Sequence, residues 1–469
     1  MRSARQKLSC HHVVGALLAL LLTACSDSSD APPVSAPQPE WRPVVFVHGQ
    51  SASAQQFETQ AMRFTSNGYP ANLLFAFEYD TSTADNPVAQ LDAFLSEVLA
   101  TTGENQVYAI GHSRGTSVWT AYLEDPAFDG AARVAKYVNI DGRAPEQVPG
   151  GVPTIGIWGE WNTADSGYNR RDNNDNAQIG PDPAANYYFA DKSHTEVATS
   201  AEAFELMYEF FTGVAPTTLD VTEVGAGTVT VAGRAVFFPE NIGYEGVPLE
   251  VWEIDKASGQ RLGDSPVAAA VIPASGNFGP FSLEAGTYYE FALLRTATQA
   301  LPVDSVHRFY AEPFYHDNQF MRLQSIRPGE SIEAFIPRLD ASAGLLLMRQ
   351  KEFWGDQGAG ADELFIDGLD VLTPLISPRA LGQGSGANLV VFTFDANGDN
   401  MTDLEGGELF PFNALTFLTG ADVFIPAAAG GSGYTEIVLI HRGGRESRLN
   451  VPNWPSSTNR VSVMFRDDL

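Results

Sequence analysis

Short apolar runs alternate with helical patterns between residues 42 and 213. Strands of a parallel sheet that is covered by helices on both faces are fully buried, and they read as continuous apolar runs. The pattern therefore predicts such a sheet, with helices over residues 53–66, 87–101 and 195–211. Six strands are expected, at residues 44–47, 73–77, 107–110, 135–140, 154–158 and 186–190.

The pattern changes after residue 213, where apolar and polar residues alternate and glycines separate the segments. Such alternation is typical of half-buried strands. We therefore predict that an α/β domain at residues 42–213 is followed by an all-β region of sandwiches or barrels. Residues 214–298 resemble a small transthyretin-like β-sandwich, and residues 299–469 are expected to form a C-terminal β domain.

Composition indicates a globular and acidic protein. Of the 469 residues, 44% are hydrophobic and 18% are charged, which is typical of a folded chain with more than one core. The formal net charge of −29 disfavours nucleic acid as a partner, and it disfavours adhesion to anionic lipid through charge. We expect the acidic residues to form a solvated surface.

The first 24 residues resemble a bacterial lipoprotein signal peptide. A basic start, MRSARQK, precedes a short apolar stretch, and the sequence LTAC follows it. By this resemblance Cys25 becomes the lipidated first residue, which anchors the exported protein in the cell envelope, at the outer membrane or cell surface. Residues 25–41 then form a polar tether. Cys10 lies inside the signal, so the mature chain has no internal disulfide. An ordinary secretory signal is the alternative.

The segment GHSRG, residues 111–115, places Ser113 where an apolar strand ends and a helical pattern begins. The chain must reverse there, and Gly111 and Gly115 remove Cβ atoms where strand and helix crowd together. Such a turn strains the serine and exposes its Oγ, and the N–H groups of the helix start favour developing negative charge. Ser113 is the candidate nucleophile. A solvated serine in a Gly-rich turn is the alternative.

A second loop, HGQ at residues 48–50, directly follows the first predicted strand. In this kind of sheet that loop supplies one N–H group of an oxyanion hole, and the residue after the nucleophile supplies the other. We therefore assign the two donors to the backbone N–H groups of Gln50 and Arg114. A plain connection between strand and helix is the alternative reading of this loop.

The general base is found by elimination among the histidines of the α/β domain, which are His48, His112 and His194. His48 belongs to the oxyanion loop, and the side chain of His112 is expected to point away from Ser113. His194 follows the last predicted strand, where a loop can carry its imidazole over the sheet to Ser113. A surface histidine is the alternative.

Two carboxylates compete for the role of the acid. Asp141 lies at the end of the strand that follows Ser113, and Asp165 lies in the loop after the next strand. In many hydrolases the acid stands nearer to Asp165, but Asn162 occupies that place here and cannot balance an imidazolium charge. Asp141 is preferred because a strand end fixes it better. Asp165 is kept as the alternative.

Together these segments resemble the archaeal-type lipases and carboxylesterases, which join a compact α/β-hydrolase domain to a C-terminal β-barrel-like domain. The likeness is strongest over residues 42–213 and rests on VVFVHGQSASAQQFE, IGHSRGT, VNIDGRAP and SHTEV. It implies an α/β-hydrolase fold, a triad of Ser113, Asp141 and His194, no cofactor, and hydrophobic carboxylic esters as substrates. Polyesters or aryl esters are alternative substrates. A β-domain binding protein with a weakly active hydrolase domain is the alternative function.

Two features of the β half complete the expectations. The segment DANGDNMTD spaces Asp395, Asn397, Asp399 and Asp403 like a calcium loop, but Asn400 replaces the usual glycine, so an Asx-rich turn is preferred and no metal site is assigned. Aromatic side chains in residues 307–320 and 351–358 are expected in part to cover the strand ends near Ser113 and to bind an acyl chain.

Overall fold

Six parallel strands form the sheet of the first domain, as the sequence predicts. The computed structural model describes residues 41–171, 173–223, 225–355, 360–378 and 388–467. The predicted signal peptide, Cys25 and all but the last residue of the tether lie outside this part of the chain. The strand order is β2-β1-β3-β4-β5-β6, where β1 is Val44–Val47, β2 is Leu74–Phe77, β3 is Val107–His112, β4 is Val134–Ile140, β5 is Thr154–Trp158 and β6 is Asn186–Tyr188.

Six helices accompany this sheet: α1 Glu58–Ser66, α2 Val88–Thr102, α3 Arg114–Glu124, α4 Gly130–Arg133, α5 Glu196–Thr199 and α6 Ala201–Thr212. Helices α1 and α6 pack on one face of the sheet, and α2 and α3 pack on the other. The strands are buried from both sides, since Phe46 belongs to the first of these cores and Val45 to the second. The α/β-hydrolase fold is therefore confirmed.

Two predicted helices differ from the structure in detail. The first begins as a 3₁₀ turn at Ala54–Phe57 before α1. The last is divided at Ser200, which is extended (φ −72°, ψ 153°) and accepts a hydrogen bond from the N–H of Ala203 through its hydroxyl. A serine in this position caps the start of α6 and interrupts the helix that the apolar pattern predicted.

The β region is built around an eight-stranded mixed sheet. Its order is β10-β9-β12-β13-β24-β16-β19-β20, and its strands are β9 Pro248–Glu253, β10 Ala268–Val271, β12 Tyr289–Arg295, β13 Ser305–Ala311, β16 Leu345–Phe353, β19 Asn388–Phe394, β20 Leu418–Asp422 and β24 Asn459–Met464. The last strand, β24, pairs in parallel with both β13 and β16. Strands from both sides of residue 298 therefore share one sheet.

Smaller sheets pack against it. One contains β7 Thr228–Phe237, β8 Ile242–Gly243, β11 Asn277–Glu284 and β14 Asn318–Ser325; the second contains β15 Ser342–Ala343 and β21 Ile425–Pro426; the third contains β17 Glu363–Ile366, β18 Leu369–Asp370, β22 Tyr434–Ile440 and β23 Glu446–Pro452. Most of the pairs in this region are antiparallel, which confirms the all-β character of the second half. Among the described residues, no helix has the length and apolar character needed to cross a membrane.

The α/β domain and the β region meet through apolar and charged contacts. The ring of Phe320 on β14 lies 5.7 Å from that of Phe46 and joins the core of the α/β domain. Glu78, which follows β2, pairs with Arg322 of β14 at 2.7 Å and also with Arg234 of β7. Burial raises the pKa of Glu78, but the two arginines outweigh burial and bring the pKa down to about 2.

Candidate active site

Ser113 occupies a strained turn between β3 and α3. Its backbone angles are φ 51° and ψ −120°, a conformation that non-glycine residues rarely adopt. The two flanking glycines are required by space: a Cβ on Gly115 would lie 2.1 Å from the carbonyl oxygen of Val47, and a Cβ on Gly111 would lie 2.9 Å from Trp119. The side chain of Ser113 is partly exposed, so the turn presents its hydroxyl at the carboxyl end of the sheet.

Asp141 and His194 form a buried pair at the same end of the sheet. His194 Nδ1 lies 2.6 Å from Asp141 Oδ2, and the two side chains are 4% and 0% exposed. The other oxygen, Oδ1, accepts hydrogen bonds from the N–H of Gly159 at 2.8 Å and from Asn162 Nδ2 at 3.0 Å. The carboxylate therefore has three donors around it, and Nδ1 of His194 carries the proton that it accepts.

His112 joins this pair to the serine turn. The ring of His112 lies 4.6 Å from the ring of His194, and its Nε2–H donates to the carbonyl oxygen of His194 at 2.8 Å. Its Nδ1 accepts a hydrogen bond from Gln56 Nε2 at 2.6 Å. Burial, followed by the neighbouring His194, lowers the pKa of His112 well below its ordinary value. His112 is thus a neutral support for the His194 loop, whereas the sequence predicted only that it points away from Ser113.

An aromatic stack covers His194. The indole ring of Trp161 lies 3.8 Å from the imidazole with an angle of 8° between the planes, and the guanidinium of Arg170 lies 3.9 Å from the Trp161 ring. Both residues belong to the polar segment after β5. A flat ring face packed against the imidazole restricts its rotation. Nothing in the local sequence indicated this contact.

The loop after β1 lies directly against Ser113. A Cβ on Gly49 would lie 3.1 Å from Ser113 Cβ and 3.6 Å from its Oγ. Gln50 Oε1 accepts a hydrogen bond from Arg114 Nη1 at 2.7 Å, so the side chains of both predicted oxyanion residues bridge the two loops. Arg114 is the first residue of α3, and the N–H groups of a first helical turn have no acceptor within their own helix.

His48 supports this loop through its contacts with Tyr79. Its ring stacks on Tyr79 at 4.6 Å, and its carbonyl oxygen accepts the hydroxyl proton of Tyr79 at 2.9 Å. Burial lowers the pKa of His48 to about 4, so the imidazole is neutral near pH 7. Its role here is to shape the loop.

The two competing carboxylates have different environments. Asp141, at the end of β4, has a φ of 45° and pairs with His194. Asp165 is exposed in the 3₁₀ turn Ala164–Ser166. Asn162 lies where many hydrolases keep their acid, and in this structure it donates a hydrogen bond to Asp141 instead.

The loop at residues 395–403 and the two aromatic segments are the features predicted for the β half. Asn397 Oδ1 accepts the N–H of Asp399 at 2.9 Å and Asp399 Oδ1 accepts the N–H of Met401 at 2.9 Å, and both bonds have the two-residue spacing of Asx turns. No group of three or more candidate metal ligands occurs in the described part of the chain. In the two aromatic segments the side chains of Phe309, Tyr310, Phe314, Phe353 and Trp354 are buried. That some of these aromatics bind an acyl chain stays a prediction.

Three family models match different parts of the chain. The model for lipase (class 2) matches residues 41–124, the model for the lipase C-terminal domain matches residues 227–328, and a further C-terminal domain model matches residues 331–469. No curated protein has a significant match.

Several solved structures are similar to parts of the chain. A gene product of Listeria innocua is 14% identical, with a TM-score of 0.29, over 38% of this chain and 97% of its own. The lipase BlEst2 of Bacillus licheniformis is 15% identical, with a TM-score of 0.28, over 38% and 96%. An extracellular α/β-hydrolase of a Paenibacillus species is 21% identical, with a TM-score of 0.17, over 22% of this chain and only 41% of its own length.

The lipase models cover residues 48–50 and Ser113, and they cover part of the β region. They support a carboxylic ester hydrolase of the lipase and esterase type. Asp141 and His194 both lie outside the segments that the two lipase models match.

Proposed function

We propose that the protein is a serine ester hydrolase in which Ser113, His194 and Asp141 act as nucleophile, base and acid. The observation that carries this proposal is the buried contact of 2.6 Å between His194 Nδ1 and Asp141 Oδ2, at the same end of the sheet as the strained and partly exposed Ser113. With Nδ1 protonated and bound to the carboxylate, Nε2 has a free lone pair and is the atom that can take the Ser113 proton.

The reaction then follows from these positions. Ser113 Oγ attacks the ester carbonyl as His194 removes its proton, and the backbone N–H groups of Gln50 and Arg114 stabilise the oxyanion. His194 gives the proton to the leaving alcohol, and an acyl-enzyme forms on Ser113. Water, activated by His194, releases the acid. Asp141 balances the imidazolium charge at both stages.

We propose that a hydrophobic acyl or aryl group binds in a cavity that the loop after β1 helps to form. Ala52, two residues after Gln50 and so within about 7 Å of it, lines a largely apolar cavity. Ser51 also lines it, and the remaining walls come from the β region. They include the apolar residues Ile326, Leu346 and Met348 and the charged residues Glu333, Arg349 and Arg460. Each methylene buried there would contribute up to about 0.8 kcal/mol, or about fourfold in kcat/KM.

Fluorophosphonate labelling tests the reaction class. The parent protein should be labelled at Ser113 and should hydrolyse p-nitrophenyl esters, whereas a folded Ser113→Ala variant should do neither. An unlabelled parent would refute the mechanism and favour a binding protein. A series of esters of increasing chain length then tests the cavity: Leu346→Ala should reduce kcat/KM on long esters and leave acetate unchanged.

We also propose that lipid on Cys25 anchors the mature protein in the cell envelope, which rests on the lipobox-like sequence LTAC. Mass spectrometry of the membrane fraction should find acylated Cys25 as the first residue. A soluble protein with an unmodified thiol would contradict this proposal.

A further inference from the structure

A buried carboxylate of the β region contacts the residues on both sides of His194. Glu352, the penultimate residue of β16, is 1% exposed. Its Oε1 accepts the backbone N–H of Thr195 at 2.9 Å, and its Oε2 accepts the hydroxyl proton of Ser193. Glu352 is the acceptor in both contacts.

The hydroxyl of Ser193 is also fixed from the opposite side. Ser193 Oγ accepts the N–H of Glu196 at 3.1 Å, while the N–H of Ser193 donates to Glu196 Oε2 at 3.4 Å. This reciprocal pair is a capping box at the start of α5. Because Oγ accepts from Glu196, its own proton is directed to Glu352.

Charged groups of the β region surround the same loop. Glu196 pairs with Lys351 at 3.3 Å and with Arg442 at 3.1 Å, and Arg442 also donates to the carbonyl oxygen of Glu352 at 2.6 Å. Burial raises the pKa of Glu196, but Arg442 and Lys351 outweigh it and lower the pKa below its ordinary value. The loop of His194 is therefore attached to β16 at several points.

We propose that Glu352 is a positioning residue. It fixes the backbone of residues 193–195 and thereby holds the imidazole of His194 at the correct distance from Asp141 and Ser113. The proposal rests on the function proposed above, in which His194 is the base. Proton transfer demands heavy-atom separations near 3 Å, and a displacement of about 1 Å costs about 100-fold in rate. The hydrolase site is then completed by a strand outside the α/β domain.

Replacement of Glu352 tests this role through kcat and KM. Glu352→Ala removes both contacts, and we expect kcat to fall by about 100-fold with KM for a short ester changed by less than about threefold. Labelling of Ser113 by fluorophosphonate should slow by the same factor. Glu352→Gln keeps an oxygen for the N–H of Thr195. Its NH₂ group can donate to the second lone pair of Ser193 Oγ once the hydroxyl proton rotates away, so this variant should restore kcat to within about fivefold of the parent.

Glu290→Ala is the matched control. Glu290 is equally buried, in β12, and it pairs with Arg308 at 2.6 Å, but its pairs lie within the β region. Its loss should reduce stability and leave kcat of the folded protein unchanged. A folded Glu352→Ala protein with the kcat of the parent overturns the proposal, and so does an equal loss of kcat in Glu290→Ala.

Ser193→Ala tests the positioning role of Glu352 if Glu352→Ala does not fold. It removes one of the two contacts, and we expect kcat to fall by about tenfold; an unchanged kcat overturns the proposal. In the double variant Ser193→Ala/Glu352→Gln, kcat should fall by less than the product of the two single effects, because both changes act on the hydrogen bond between Ser193 and Glu352. Failure of the proposed function is seen separately, as a parent protein that is neither labelled nor active.

Discussion

Replacement of Asp141 by Asn tests the proposed acid at a single hydrogen bond. Oδ1 of Asp141 accepts from the N–H of Gly159 and from Asn162 Nδ2, and Oδ2 accepts from His194 Nδ1. An Asn side chain must keep its oxygen towards the first two donors. The flipped amide would set its NH₂ group against both of them, and each buried group left unsatisfied costs about 1–3 kcal/mol.

In the favoured orientation the NH₂ group of the new side chain faces His194 Nδ1. That nitrogen must then accept, so the imidazole proton moves to Nε2, the atom that should receive the Ser113 proton. We expect kcat to fall by about 10⁴, equivalent to about 5.4 kcal/mol of lost transition-state stabilisation. Steady-state hydrolysis of p-nitrophenyl acetate measures the loss, and thermal unfolding checks the fold.

Asp165→Asn is the matched control for this experiment. Asp165 is exposed and lies in the next loop, so its replacement should change kcat by less than about twofold. Parent-like turnover in a folded Asp141→Asn protein would refute the assignment, and severe loss in Asp165→Asn would transfer the role of the acid to Asp165.

Three further predictions concern the loops and the pH dependence. Gly49→Ala places a methyl group 3.6 Å from Ser113 Oγ, where the ester must approach, so kcat/KM for p-nitrophenyl acetate should fall by about tenfold or more; an unchanged value would mean that the ester approaches elsewhere. Trp161→Ala removes the ring 3.8 Å from His194 and should reduce kcat by about 2- to 30-fold, as loss of about 0.5–2 kcal/mol of support for the imidazolium implies. Burial lowers the pKa of His48 from 6.5 to about 4, so the unfolded chain binds an extra proton in that window. The free energy of unfolding should therefore fall as the pH drops from about 6.5 to about 4, by about 3 kcal/mol from this group, and denaturant titrations that give equal stability at both ends would contradict it.

The strands of the α/β domain could be predicted because burial on both faces leaves a local signature. Val45 and Phe46 point to opposite faces of the sheet and are both fully buried, so the run around them is continuously apolar. The place of β24 could not be predicted. It pairs in parallel with β13 and β16, far upstream in the chain, and an alternating pattern says that a segment is a strand without identifying its neighbours.

Some residues of the candidate site could likewise be predicted from the sequence, and others could not. Ser113 and Asp141 directly follow strands, and His194 lies in the loop after the last strand of the sheet, so their positions could be proposed from local sequence. Glu352 carries no such signal, since it stands 157 residues after Thr195 and its contacts depend on how the β region folds. The contact between Trp161 and His194 could not be predicted either, because the segment that contains Trp161 is mostly polar and is typical of a surface loop.

The β region supports both of the loops that carry the proposed chemistry. At the oxyanion loop, Asn241 donates to the carbonyl oxygens of Ala52 at 2.9 Å and Tyr79 at 3.1 Å, and Glu78 accepts the N–H of Ala54 at 3.0 Å while it pairs with arginines of β7 and β14. At the base loop, Glu352 contacts the residues beside His194. Residues 42–213 alone would therefore lose the hydrogen bonds that Asn241 donates to the first loop and those that Glu352 accepts from the second. The β region is therefore part of the structure that sets the geometry of the proposed site, whatever it adds to substrate binding.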